Sequence, residues 1–281
     1  MKLIFFKNVF YIPLEYFNFK KTVYMAKQVG THSLRGSIGD VTYFKNAFGF
    51  LAKEKSGPSR NMVLKSPRFA RTRENSTEFG AAIDAGKLVR DAFRPLLKAV
   101  TNARSNGRMN AVFSKMIKAD KTHGRGKRMV SEGSVGLLKG FEFNEENTFS
   151  DKLRVSYKAS IAAVRGTMLV KIDPFVPKKA IRDSPDGATH FRIESAGAAV
   201  DFTKRIFSNA EGNTPLLKID GKLTKPVCLK HTIKGAPGES LLLAVGIVFY
   251  KMVDGREVKI KGGALKVVEV KEVVETKGIR N

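Results

Sequence analysis

One cysteine and no tryptophan stand in 281 residues. A lone thiol excludes a disulfide scaffold and any cysteine-based zinc cluster. No apolar run reaches the roughly 18 residues that a bilayer-spanning helix needs, so no membrane span is expected. Acidic side chains are scarce: 26 Asp and Glu face 51 Lys and Arg, a formal net charge of +25. Such a surplus points to an anionic partner, whether nucleic acid, an acidic surface or an acidic protein. Apolar residues are not scarce. At 42% they are too many for wholesale disorder. The length allows one or two domains, either able to bury a sizeable core.

The familiar catalytic arrangements are also missing. His32, His123, His190 and His231 are far apart and share no ligand spacing, and neither H-E-x-x-H nor H-x-x-x-H occurs. There is no G-x-S-x-G nucleophile elbow. Cys228, within Pro226-Val-Cys-Leu229, reads as a small buried hydrophobe of a strand rather than a nucleophile. Gly124-Arg-Gly-Lys-Arg128 is the nearest approach to a phosphate loop. It lacks the first Gly of G-x-x-x-x-G-K, has Arg128 in place of Ser or Thr, and follows a helix rather than a strand. Two readings stay open for it: a flexible basic loop touching phosphates, or a solvated connector. No catalytic, cofactor-binding or metal-ligating residue is assigned, no small-molecule ligand is inferred, and the expectation is a protein that is not an enzyme.

Residues 1–24 hold 8 of the 26 Phe and Tyr and no Gly, Ala, Ser, Asp or Arg. They read as a non-native extension of translated non-coding sequence, with Met25 as the natural start; a β-hairpin or interfacial segment is the alternative. Lys7, Asn8, Pro13 and Glu15 interrupt the apolar core that a signal peptide would need, so the expected location is the cytoplasm. Val41–Phe44 and Phe50–Ala52, with turn residues at 36–40 and 46–49, predict a β-hairpin. Residues 55–73, with two prolines and six basic residues, predict an extended, solvated arm.

Asn75 with Glu78 resembles a capping box opening a helix. Its predicted apolar stripe is Phe79, Ala82, Ile83, Gly86, Val89, Phe93, Leu97 and Val100, with Pro95 breaking the helix near Arg94. After a break at Ser105-Asn-Gly107, a second helix over 108–119 carries Met109, Val112, Phe113, Met116 and Ile117 on one face, completing a helical hairpin. From residue 135 onward short β-branched runs recur between turn residues. They are Leu153–Tyr157, Met168–Ile172, His190–Glu194, Ala198–Phe202, Leu216–Ile219, Val227–Lys230, Leu241–Tyr250, Val258–Ile260 and Leu265–Val270, with Asp254-Gly255 as a hairpin dipeptide. The fold class is therefore α+β: an N-terminal β-hairpin and helical hairpin, then an antiparallel β-sandwich or barrel. The expected division is 1–24, 25–130 and 131–281.

Charge is unevenly spread. Residues 53–130 hold 19 basic and 6 acidic residues, a net of +13. The candidate phosphate-contacting residues lie there: Lys65, Arg68, Arg71 and Arg73 on the arm, Arg108, Lys115 and Lys118 on the second helix, and Arg125, Lys127 and Arg128 in the glycine-flanked loop. A ridge of Lys87, Arg94 and Lys98 is partly offset by Asp84 and Asp91.

The stretches Gly36-Ser-Ile-Gly-Asp-Val-Thr-Tyr-Phe-Lys45, Gly49-Phe-Leu-Ala-Lys-Glu-Lys55, Arg71-Thr-Arg-Glu-Asn75 with Phe79-Gly80, Ala188–Ser195 and Val245–Tyr250 resemble a group of uncharacterised basic proteins from Bacteroidetes-type bacteria. The resemblance implies a short N-terminal hairpin and a basic arm leading into helices and a β-rich C-terminal half. It also implies a start close to the hairpin, and it brings no activity. Three functional expectations stand. The first is non-specific binding of nucleic acid or another polyanion. The second is a structural protein of a phage-like or mobile-element particle, which carries a homo-oligomer with it. The third is an enzyme without a recognisable signature.

Overall fold

Proline geometry punctuates the start of the chain. In the computed structural model, which describes residues 25–29, 32–55, 57–98, 100 and 104–273, the chain divides into two compact units at the Ser66–Pro67 bond. Residues 1–24, read above as an extension, lie outside the described residues. The first unit is an antiparallel sheet of β1 (Met25–Lys27), β2 (Gly36–Ile38), β3 (Val41–Asn46) and β4 (Gly49–Glu54) in the order β1-β4-β3-β2. The expected hairpin is β3–β4, closed between Asn46 and Gly49, where the Phe48 N–H donates to Asn46 Oδ1 at 2.8 Å.

The predicted extended arm is a correction. Residues Arg60–Lys65 form helix α1, whose N-cap Ser59 accepts the Met62 N–H. Pro67 disfavours the helical region for Ser66, which turns extended and ends the helix. A single 3₁₀ turn, Pro67–Phe69, then runs into α2 (Ala70–Ala92). Basic composition alone suggests solvated coil, yet Arg, Lys, Met and Leu are good helix formers and Arg60–Lys65 is helical. Asn75 consequently lies inside α2 and caps nothing.

In the second unit Pro95 does end the long helix: Phe93 is a turn, and α3 (Arg94–Leu97) restarts with the proline in its first turn. Helix α4 spans Ser105–Ala119, so the expected break at 105–107 is its opening turn. The remaining elements are α5 (Phe149–Lys152), β5 (Tyr157–Ala162), β6 (Thr167–Ile172), α6 (Pro177–Ala180), β7 (His190–Asp201), β8 (Ile206–Asn213), β9 (Leu217–Lys218), β10 (Val227–Thr232), β11 (Ser240–Val253) and β12 (Arg256–Glu272). Two pairs of expected short strands are single long ones, β7 and β12, and β8 was not foreseen. The Leu153–Tyr157 run contributes only an isolated bridge at Leu153 before β5 begins. Asp254 and Gly255 both take positive φ, 48° and 74°, as a two-residue hairpin between β11 and β12 requires.

All strands pair antiparallel, in one sheet ordered β12-β11-β7-β8, with β9 on β7, and another ordered β10-β6-β5. Phe191, Ile193, Leu243, Val245 and Phe249 meet Met168, Val170, Ile172 and Leu229 in a core between the two sheets. On the other face of the larger sheet, Ala196, Ala198, Leu242, Ala244 and Leu265 meet Val89, Phe93, Met109, Phe113 and Met116 of the helices. The unit is thus three layers: helices, a five-stranded sheet and a three-stranded sheet. The expected boundary at residue 130 separates no cores, because the helices and the large sheet share one. Along α2 the buried stripe is Ala82, Ala85, Gly86, Val89 and Ala92, small residues that let α4 approach. Phe79 and Ile83 of the expected stripe are left exposed.

Within β11 a Cβ on Gly246 would stand 2.4 Å from the Ala264 carbonyl oxygen of β12. Gly246→Ala is expected to destabilise the unit by about 1–3 kcal/mol, read as a lower urea midpoint with an unchanged slope.

Candidate polyanion interface

The basic loop after α4 is built around one buried carboxylate. Asp120 Oδ1 accepts the Thr122 N–H (2.7 Å), the Thr122 hydroxyl (2.7 Å) and the His123 N–H (3.1 Å). Its Oδ2 accepts the Met129 N–H at 2.9 Å and lies 2.9 Å from His123 Nδ1. Burial by itself pushes this carboxyl's pKa up. The hydrogen bonds from Met129, Thr122 and His123 outweigh it and hold the group well below the usual carboxylate range.

The loop then docks on α2. The Gly126 N–H donates to Glu78 Oε1 at 2.7 Å, Arg125 Nη2 donates to Asn75 Oδ1 at 2.6 Å, and Arg125 Nε lies 3.6 Å from Glu74. Arg128 Nε is 3.9 Å from the buried Glu78. Of the two readings left open for Gly124–Arg128, neither flexible loop nor solvated connector describes it, because its backbone and two of its guanidinium groups are tied to the helix.

This sorts the sequence-predicted cations. Arg71 pairs with Glu74 at 2.9 Å, and Arg125 and Arg128 are held as above. Arg108 Nη2 donates to the Glu142 carbonyl at 2.7 Å, its Nε lies 3.3 Å from Glu145, and it covers the Phe141 ring at 5.2 Å. Arg73 is half-buried in the first turns of α2, where its carbonyl accepts the Thr77 hydroxyl. Lys65 ends α1 in the first unit, and Arg68 sits in the 3₁₀ turn of the second. Lys65, Arg68, Lys115, Lys118 and Lys127 make no ion pair among the described residues. Of the ridge, Arg94 pairs with Asp91 at 2.5 Å.

The docked loop, α2 and α4 together enclose a cavity of about 480 Å³, lined by Asn75, Glu78, Phe79, Ser114, Ile117, Lys118 and Arg125. Phe79 is 55% exposed. Lys115, one turn before Lys118 on α4, is exposed as well. Sequence reasoning put Phe79 in the core, because it falls on the same 100° stripe as Ala82. The signal that could have moved it was the run of Ala and Gly at 82, 85 and 86, which fixes the close-packed face of α2 elsewhere.

Two features went unforeseen. A groove of about 580 Å³ beside β10 is walled by Leu217, Leu223, Val227 and Leu229, with Lys218, Lys222 and Lys225 among its lining residues. Ser195 Oγ and His231 Nε2 lie 2.6 Å apart between the two sheets, at 0% and 4% exposure. With no carboxylate on the imidazole among the described residues, this pair is a hydrogen bond satisfying two buried groups. No group of three or more His, Cys, Asp or Glu side chains able to hold a metal ion occurs among the described residues. No described helix is long and apolar enough to cross a membrane.

Burial lowers the His231 pKa. The native state therefore binds its proton less readily than the unfolded chain. Stability from the neutral imidazole is complete above about pH 6.5 and declines as pH falls below it. A urea midpoint that drops between neutral and mildly acid pH, and drops less in His231→Gln, checks this. Asp120→Asn at neutral pH sets an amide N–H₂ against donors and is expected to free the loop. Trypsin should then cut after Arg125, Lys127 or Arg128 much faster than in the native chain. Comparison with family models, with curated proteins and with solved structures finds no match to this chain.

Proposed function

We propose that this protein is a non-enzymatic polyanion-binding protein that holds single-stranded nucleic acid through phosphate contacts without sequence preference. One observation carries the reading: the exposed Phe79 ring shares a cavity with Lys118, which no carboxylate of the chain neutralises among the described residues. An aromatic platform beside free cations is what sequence-tolerant binding of unpaired bases requires, with the ring stacking a base while the ammonium groups meet phosphates. Lys115 and Lys127 extend the cationic rim. Arg125, held by Glu74 and Asn75, presents its guanidinium in a fixed orientation to the same cavity. The assembly reading draws less support, because the segment it needs as an extended arm is already helical over Arg60–Lys65 and from Ala70 onward.

Binding is testable by fluorescence anisotropy with a labelled single-stranded homopolymer. Phe79→Ala is expected to cost roughly 1–3 kcal/mol of affinity with the fold intact, since the ring is exposed. Lys115→Gln with Lys118→Gln is expected to weaken homopolymers of every base alike. Equal affinities for native and Phe79→Ala protein would refute the stacking role.

A further inference from the structure

The outward face of the three-stranded sheet is a second cationic surface. Strand parity turns Ile161, Met168, Val170, Ile172, Val227 and Leu229 into the core. It turns Lys158, Lys171 and Lys230 outward, all exposed. The register sets Cys228, Lys171 and Lys158 in one row across β10, β6 and β5. Lys230 lies in the next row, opposite Leu169 and diagonal to Lys171. No acidic residue occupies the outward positions of these strands; Asp173, the nearest in sequence, falls past the end of β6. None of the three lysines makes an ion pair among the described residues.

Like charges directly opposite on a sheet, their Cβ atoms roughly 5 Å apart, repel and cost stability. The Lys158–Lys171 pair bears that cost with no acidic partner among the described residues to relieve it. An external row of anions at similar spacing would.

We infer that this face takes the phosphodiester backbone of a second nucleic-acid segment, so that one copy of the chain bridges two strands. The inference rests on the nucleic-acid reading above and adds to it. The Phe79 cavity lies on the helix layer, and the lysine face lies on the far side of the five-stranded sheet, so a short strand seated on one does not reach the other. The face has no aromatic ring among its outward residues, and its contacts are with phosphates alone.

The chain's single cysteine makes the face directly observable: Cys228, expected from its apolar neighbours to be buried, lies on the opposite strand parity from the buried Val227 and Leu229 and is exposed in the same row as Lys171 and Lys158. The experiment follows labelling of Cys228 in the whole protein by an uncharged maleimide, with and without a short single-stranded oligonucleotide. In parallel it measures capture of a fluorescent oligonucleotide through a biotinylated one. The expected result is that oligonucleotide slows labelling several-fold at low salt and not at high salt, and that native protein bridges the two oligonucleotides. The variant Lys158→Gln/Lys171→Gln/Lys230→Gln, all at exposed positions, should melt like the native chain and still bind one oligonucleotide. It should lose both bridging and cysteine protection, with a salt slope smaller by about 1 for each lysine removed. Unchanged labelling together with an unaffected triple variant would overturn the inference and leave the Phe79 site standing. Absence of any oligonucleotide binding would overturn both. Protection of Cys228 by phosphatidylserine vesicles but not by oligonucleotide would assign the face to a lipid surface and overturn the inference.

Discussion

Burial of one sheet on both of its faces is the constraint from which the second unit follows. Strand β11 from Leu241 to Tyr250 and β7 from Ser195 to Val200 carry apolar or small side chains at successive positions because one parity meets the helices and the other meets the three-stranded sheet. A strand covered on one side only would alternate. The continuous run Leu241–Tyr250 therefore demands two covering layers. The helices α2 and α4 are one of them, and β5, β6 and β10 are the other. Neither covering layer has a second partner among the described residues of this unit, so each presents its outer face. The two cationic surfaces are those outer faces.

The charge surplus is partitioned rather than spread. Acidic residues on α2 and in the 142–145 segment take up Arg71, Arg108, Arg125 and Arg128, so part of the positive charge in the 53–130 block is spent on tertiary structure. Guanidinium groups dominate that share, as their fork geometry and weak hydration suit fixed ion pairs. What is left for an outside anion is mostly ammonium: Lys115, Lys118 and Lys127 on the helix layer, and Lys158, Lys171 and Lys230 on the sheet. Exposed ion pairs of the first kind add little stability each. The Asp120 hub does more, because it fixes backbone N–H groups on both sides of the loop and so decides where Arg125 and Lys127 stand.

Much of the fold was legible. The α+β class, the β3–β4 hairpin, the break at Pro95, the α4 face of Met109, Phe113, Met116 and Ile117, and the Asp254-Gly255 turn all rest on local rules that tertiary contacts did not override. The failures have a common cause. Residues 60–73 were read by polarity, although helix formation depends on backbone and rotamer preferences that Arg and Lys satisfy well. Helical periodicity puts Phe79 on the core stripe, although the face of α2 is chosen by Ala and Gly, which allow closer helix packing. The ten candidate cations were picked by sequence density, and density says nothing about which carboxylates fold back onto them. The lysine face was hidden for the opposite reason: its three members are 13 and 59 residues apart along the chain and meet only through strand register.

The account stands on the claim that uncommitted ammonium groups meet phosphates from outside the molecule. Its most direct test is the affinity of the purified chain for a single-stranded homopolymer followed from low to moderate salt. Release of counterions from about six phosphates of a single strand predicts a loss of roughly 300-fold between about 50 and 200 mM. An affinity that stays flat over that range would contradict it.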